Sequence, residues 1–102
     1  MRYILSILFL LMSSSAHSVT DKTGTINKVE IWGGVAKARV CDVNNNCQDF
    51  WVNLDSTVGK AVYSTWLSAK VSKATVYIQG YDDRDPSHPY NNSSKFYGMN
   101  FY

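Results

Sequence analysis

Three groups of side chains in this 102-residue chain have the makings of a chemical site: Cys41 and Cys47 in "RVCDVNNNCQDFW", the carboxylates Asp82, Asp83 and Asp85, and His88 a few residues further on. The cysteines, with five residues between them, admit three readings: zinc ligands, a redox pair, or a disulfide. The carboxylates suggest paired acid–base chemistry on a glycoside or a calcium site. A glycosidase needs a deep cleft that so small a domain scarcely provides, and the ligand spacing of helix-flanked calcium loops is absent. His88 has no serine partner within a nucleophile motif, so the plain reading of the whole stretch is a solvated loop. No catalytic residue, metal or cofactor is expected.

The compartment decides among the cysteine readings. Arg2, then the apolar run "ILSILFLLM", then small residues at Ala16 and Ser18 have the form of a secretory leader cleaved after Ser18. The apolar run is about half the roughly 20 residues a spanning helix needs. Residues 1–18 therefore read as a signal peptide and 19–102 as one small domain, secreted or periplasmic. The formal charge of +2 falls to +1 once Arg2 leaves, because no acidic residue precedes Asp21. A nearly neutral exported chain lacks the concentrated Lys and Arg that nucleic-acid binding relies on. Outside the cell a disulfide is the default for paired cysteines. Past Ser18 the one remaining histidine is His88, too few partners for a structural zinc, and the spacing is not that of a thioredoxin-like pair.

The residues around the cysteines test this independently. "VAKARVC" alternates with Ala36, Ala38 and Val40 on one face, and "CQDFWVNL" with Phe50, Val52 and Leu54 on one face. "DVNNN" between them supplies turn chemistry. Setting Cys41 opposite Cys47 in an antiparallel hairpin places Arg39 against Asp49, Lys37 against Trp51, Ala38 against Phe50 and Ala36 against Val52. The outer pairs are a salt bridge and a cation–π contact, and the inner pairs match small with large. A slip of one residue would expel Phe50 and Val52.

Before the hairpin, "GTINKVEIWGG" reads as a strand with Val29 and Ile31 inward and a Gly33-Gly34 turn. After it, Asp55 or Ser56 caps a helix whose Val58, Ala61, Val62, Thr65, Trp66 and Ala69 share one side. Tyr63 and Leu67 lie on the other side, as stray exposed groups or as a contact with another subunit. "KATVYIQGY" follows with Val76 and Ile78 inward, then "SKFYGMNFY" with Tyr97, Met99 and Phe101 inward and Phe96 outward. Three strands, a helix and two strands give a mostly β fold in the order β-β-β-α-β-β of a five-stranded OB-like barrel. An open antiparallel sheet or another small barrel are the alternatives.

With its signal peptide, its cysteine-bearing early hairpin, and "KAVYSTWLSAK" running into "ATVYIQGY", the chain resembles the receptor-binding B subunits of pertussis-like and subtilase-cytotoxin-like bacterial toxins. The resemblance spans roughly residues 24–102. It implies an OB-fold homo-oligomer that binds a cell-surface glycan and carries a separate catalytic toxin subunit. The chain is shorter than those proteins and has one cysteine pair, and their sugar-binding residues match no positions here.

In OB-type barrels the loops between the first two and the last two strands flank the binding face. The second of these is "YDDRDPSHPYNNS", where Tyr81 and Tyr90 suit stacking on a sugar ring, Asp83 and Asn91 suit its hydroxyls, and Arg84 suits the carboxylate of an acidic sugar. Trp32, Trp51, Tyr77, Phe96 and Tyr102 also take the outward parity of their strands. They serve sugar stacking, a protein interface, or a second small cluster on the barrel. The expectation is a secreted, oligomeric glycan-binding module. Its rivals are a periplasmic inhibitor or immunity-like protein that blocks an enzyme by loop insertion, and a purely structural exported subunit.

Overall fold

A computed structural model describes residues 19–102, so the leader read over residues 1–18 lies outside the described residues. Strands β1 (Val19–Trp32), β2 (Val35–Cys41) and β3 (Cys47–Asn53) precede helix α1 (Thr57–Ser72), and β4 (Thr75–Tyr81) and β5 (Ser94–Phe101) follow it. They close into a five-stranded barrel in the order β1-β2-β3-β5-β4. The fold is the mostly β, OB-like barrel that the sequence implies.

The hairpin register is the one that the cysteines require: Cys41 faces Cys47, Arg39 faces Asp49, Lys37 faces Trp51, Ala38 faces Phe50 and Ala36 faces Val52. The two sulfurs are bonded. Arg39 grips Asp49 through both carboxylate oxygens, Nε to Oδ1 at 2.9 Å and Nη2 to Oδ2 at 3.2 Å. Asp42 organises the loop, its Oδ1 accepting from the Asn44 and Asn46 amides at 2.9 and 3.0 Å. Gly33 and Gly34, at φ +56° and +82°, take the left-handed angles that a two-residue hairpin turn demands.

β1 closes the barrel from one side. Its first half pairs with β4 and its second half with β2, and Thr25 belongs to both ladders, opposite Cys41 and Thr75. At this crossing Gly24 is pressed against the Cys41 carbonyl, where a Cβ has no room.

The core holds Ile26, Ala36, Ala38, Val40, Phe50, Val52, Trp66, Ala69, Val76 and Ile78. Ser56 caps α1 by accepting the Gly59 amide at 2.9 Å, and Lys73 ends the helix in a left-handed cap. Trp66 is fully buried and meets the Phe96 ring edge-on at 5.9 Å.

The inward faces of three elements differ from expectation. On α1 the buried stripe runs through Gly59, Val62, Tyr63, Trp66 and Ala69, while Val58 is 68% exposed and Ala61 is exposed. Gly59 abuts the Asn53 carbonyl at the end of β3, which turns the helix and brings Tyr63 onto the core. On β5 the ladder skips Tyr97: Gly80 pairs with Phe96 and Gln79 with Gly98. This bulge sends Phe96 inward and leaves Tyr97 61% exposed. Met99 packs on the core as expected, but Phe101, opposite Val76, is 47% exposed at the rim. A second bulge at Asn27 lets both Ile26 and Val29 face inward, and Ile31 keeps that parity opposite Ala36 yet is 46% exposed.

Candidate functional site

The antiparallel registers of β1, β2 and β3 build three rows on the outside of the barrel: Lys28–Arg39–Asp49, Glu30–Lys37–Trp51 and Trp32–Val35–Asn53. In an OB fold this is the side that ligands approach. Here the loop of residues 82–93 lies across it like a strap. His88 meets Trp32 edge-on at 5.6 Å, Tyr90 meets Trp51 at 4.7 Å, and Lys95 stands 5.8 Å over the Trp51 ring. The cation on Trp51 is thus Lys95, while Lys37 is only 5% exposed and places Nζ 3.1 Å from Glu30 Oε2. Trp51 and Tyr90 form the second cluster outside the barrel that the aromatic count allowed. Partial burial pushes the Glu30 carboxyl up, but hydrogen bonds from Lys37 and the Trp32 indole, with the charges of Lys37 and Lys28, outweigh it and hold it below its ordinary value.

The strap is braced within itself. The Asp85 carboxylate accepts from the Ser87 amide at 2.9 Å and from its hydroxyl at 2.6 Å, bonds that lower its pKa, the hydroxyl most. Main-chain bonds from Asn91 to Ser87, Asn92 to Asp85 and Ser93 to Tyr90 close the turns, and Asn91 and Asn92 take positive φ. Asn tolerates that conformation better than most residues, which accounts for the pair at this point.

The structure brings some of the expected ligand residues together and separates others. Arg84 and Asn91 line one polar cleft of about 250 Å³ with Arg39, Gln48, Asp49 and Asn92. Arg84 is also anchored at the start of β1: its Nη2 donates to Thr20 Oγ1 at 3.2 Å, and its Nε lies 3.7 Å from Asp82 Oδ1. Thr20 pairs with Gly80 in the β1–β4 ladder, so Arg84 joins the cleft to the N-terminal end of β1. Tyr81 is 44% exposed and meets Tyr97, itself largely exposed, edge-on at 5.3 Å. Tyr90 instead turns onto Trp51, where it fastens the strap. Asp83 is exposed.

Sequence reasoning missed Tyr97, Arg39, Gln48, Asp49 and Asn92 as neighbours of the loop. The Arg39–Asp49 pair was legible but carried no sign that the loop would reach it. Tyr97 was hidden by the bulge that reverses its parity. Chemically the barrel offers a fixed guanidinium, three primary amides, a carboxylate–guanidinium pair and, apart from the cleft, an exposed aromatic pair. Among the described residues no three of His, Cys, Asp and Glu converge as a metal group.

Architecture and site together define an OB-type barrel with a strapped outer face. No protein-family model matches the chain, and no curated protein does. Among solved structures it is similar to a chain described as OBody NL8 bound to hen egg-white lysozyme. The TM-score is 0.60 at 11% identity, over 82% of this chain and 92% of that one. At such identity the likeness concerns the fold alone.

Proposed function

We propose that the chain is an exported, non-catalytic glycan-binding module that works within a homo-oligomer, in the manner of the toxin B subunits it resembles, and serves a separate catalytic chain. One observation carries the reading: Arg84, tethered to Thr20, lines a cleft rich in amides and charge on a barrel that also exposes the Tyr81–Tyr97 pair. Sugars are bound by stacking an apolar ring face on an aromatic and by directing donors and acceptors at the hydroxyls, and a guanidinium adds selectivity for a carboxylate. Because the strap is braced before any ligand arrives, little ordering cost falls on binding. The rival reading is a periplasmic inhibitor or immunity-like protein that blocks an enzyme by inserting a loop. A loop laid along its own sheet, rather than projecting from it, favours the glycan reading over loop insertion.

A glycan array probed with the 19–102 chain tests this, with sedimentation in parallel. Arg84→Ala should selectively weaken acidic glycans, and Tyr97→Ala should weaken acidic and neutral ones together. A monomer that binds no glycan, or variants that bind like the parent, would sink the reading.

A further inference from the structure

At the other end of β4 from Arg84, two shallow cavities adjoin at Thr25. One, about 270 Å³, is walled by Gly24, Thr25, Cys41, Asp42, Val43 and Thr75, the Asp42 carboxylate being taken up by Lys22 and the loop amides. Its neighbour, about 330 Å³, is walled by Thr25, Ile26, Asn27, Lys70 and Lys73. Val43 is 99% exposed, yet it stands on a loop fixed by the disulfide, by the two amide bonds to Asp42 and by Lys22 Nζ at 3.2 Å from Asp42 Oδ2. A valine held rigidly in water adds nothing to the fold, and a preordered apolar tip is what an interface uses.

The second cavity adds charge to this tip. Helix α1 contains no acidic residue, and Lys70 and Lys73 form no ion pair among the described residues. Val71, between them in sequence, is 82% exposed. An apolar cavity beside an apolar tip, flanked by two uncompensated ammonium groups, is complementary to an apolar side chain bracketed by carboxylates.

We propose that this surface docks an acidic segment of a different protein, one apolar side chain entering the cavity beside Val43 while carboxylates pair with Lys70 and Lys73. A second copy is the wrong occupant. In the chain's one acidic run, residues 82–85, two of the three carboxylates are engaged at home, Asp82 accepting from Thr20 beside Arg84 and Asp85 accepting twice from Ser87, which leaves Asp83 alone against two ammonium groups. None of the docking residues belongs to the glycan site, so this proposal stands or falls independently of that reading.

Selection of a phage-displayed random dodecapeptide library on the 19–102 protein tests it, with affinities of the selected peptides then measured by fluorescence polarisation. Two variants serve: Val43→Ser, and Lys70→Gln combined with Lys73→Asn, asparagine being chosen to keep the left-handed helix cap. The selected peptides should carry carboxylates beside Leu, Ile or Phe, and each variant should weaken them by about tenfold. Added salt should weaken binding to the parent and have little effect on the lysine variant. Peptides without acidic enrichment, or affinities unchanged in both variants, would overturn the proposal. So would sedimentation showing parent self-association that both variants abolish, since the surface would then hold a second copy.

Discussion

Glu30→Gln and Lys37→Met remove opposite ends of one ion pair, and the structure predicts unequal consequences. The Lys37 side chain is 6% exposed and that of Glu30 is 27% exposed. Removing the carboxylate strands an ammonium under the strap, and breaking a buried pair from one side costs about 3–5 kcal/mol. Because the glutamine oxygen still accepts a hydrogen bond and position 30 is partly wet, the expected loss is about 2–3 kcal/mol. Lys37→Met keeps the apolar stem and leaves Glu30 with Lys28 Nζ at 3.6 Å and the Trp32 indole, so its cost should be under about 1 kcal/mol. Against a total stability on the order of 5 kcal/mol for a domain this small, the two variants are easily told apart by urea unfolding with the disulfide intact. The pH dependence gives a second arm. The folded carboxyl titrates below its ordinary 4.5, so the pair's contribution is complete above that value and disappears as pH falls through the lower, folded one. The gap between parent and Glu30→Gln should close over that window. Equal losses in the two variants, or a loss below about 0.5 kcal/mol for Glu30→Gln, would refute the claim that Lys37 is truly desolvated.

Other perturbations probe the frame around the site. Replacing Cys41 and Cys47 together by serine should lower stability by about 2 kcal/mol in urea unfolding, because the bond closes only a short loop. The parent should resist alkylation unless reduced. Asp42 should titrate below an ordinary aspartate in carboxyl-detected NMR. The Asn46 amide lowers it most, partial burial opposes this, and Lys22 and the Asn44 amide add to it. The Asp42 contribution to the loop should therefore be complete above an ordinary aspartate's pKa and lost as pH falls through the depressed one. Gly80→Ala should cost about 1–3 kcal/mol by thermal or urea unfolding, because its Cβ would lie 2.8 Å from the Lys95 carbonyl and 2.9 Å from the Phe50 ring.

What could be read from the sequence was what depends on strict alternation and on one covalent constraint. The Cys41–Cys47 bond fixes a register, and every pair from Arg39–Asp49 to Ala36–Val52 follows from it. Element order was equally plain, and local chemistry narrowed the helix cap to Asp55 or Ser56, of which Ser56 serves. Alternation fails where a strand inserts a residue. The bulges at Asn27 and Tyr97 reverse parity with no marker of their own, which is why Phe96 was assigned outward and Tyr97 inward. The helix face erred for a tertiary reason, the seating of Gly59 against Asn53. For the site, the sequence marked the loop but not its course. That Tyr90 faces Trp51 while Arg84 reaches Thr20 and the Arg39–Asp49 cleft depends on how residues 82–93 cross the sheet, and hydrophobic period does not encode that path.

The double duty of β1 bears on the order of assembly. Its second half meets β2 across a two-residue turn, so that part, with β3, is a local meander able to form as soon as it is made. The first half has no neighbour until β4 exists, because Val19 pairs with Tyr81 and Thr20 with Gly80. Contacts so distant along the chain carry the largest loop-closure entropy and form late. Until then, residues 19–24 and the adjoining edge of β2–β3 present unsatisfied backbone groups, the kind of surface on which chains pair wrongly. A chain whose first strand waits for β4, and whose barrel cannot shut before β5 emerges, thus meets its longest exposure at the N-terminal end. That end also adjoins the stretch read as an export leader, where a delay in folding keeps the chain threadable.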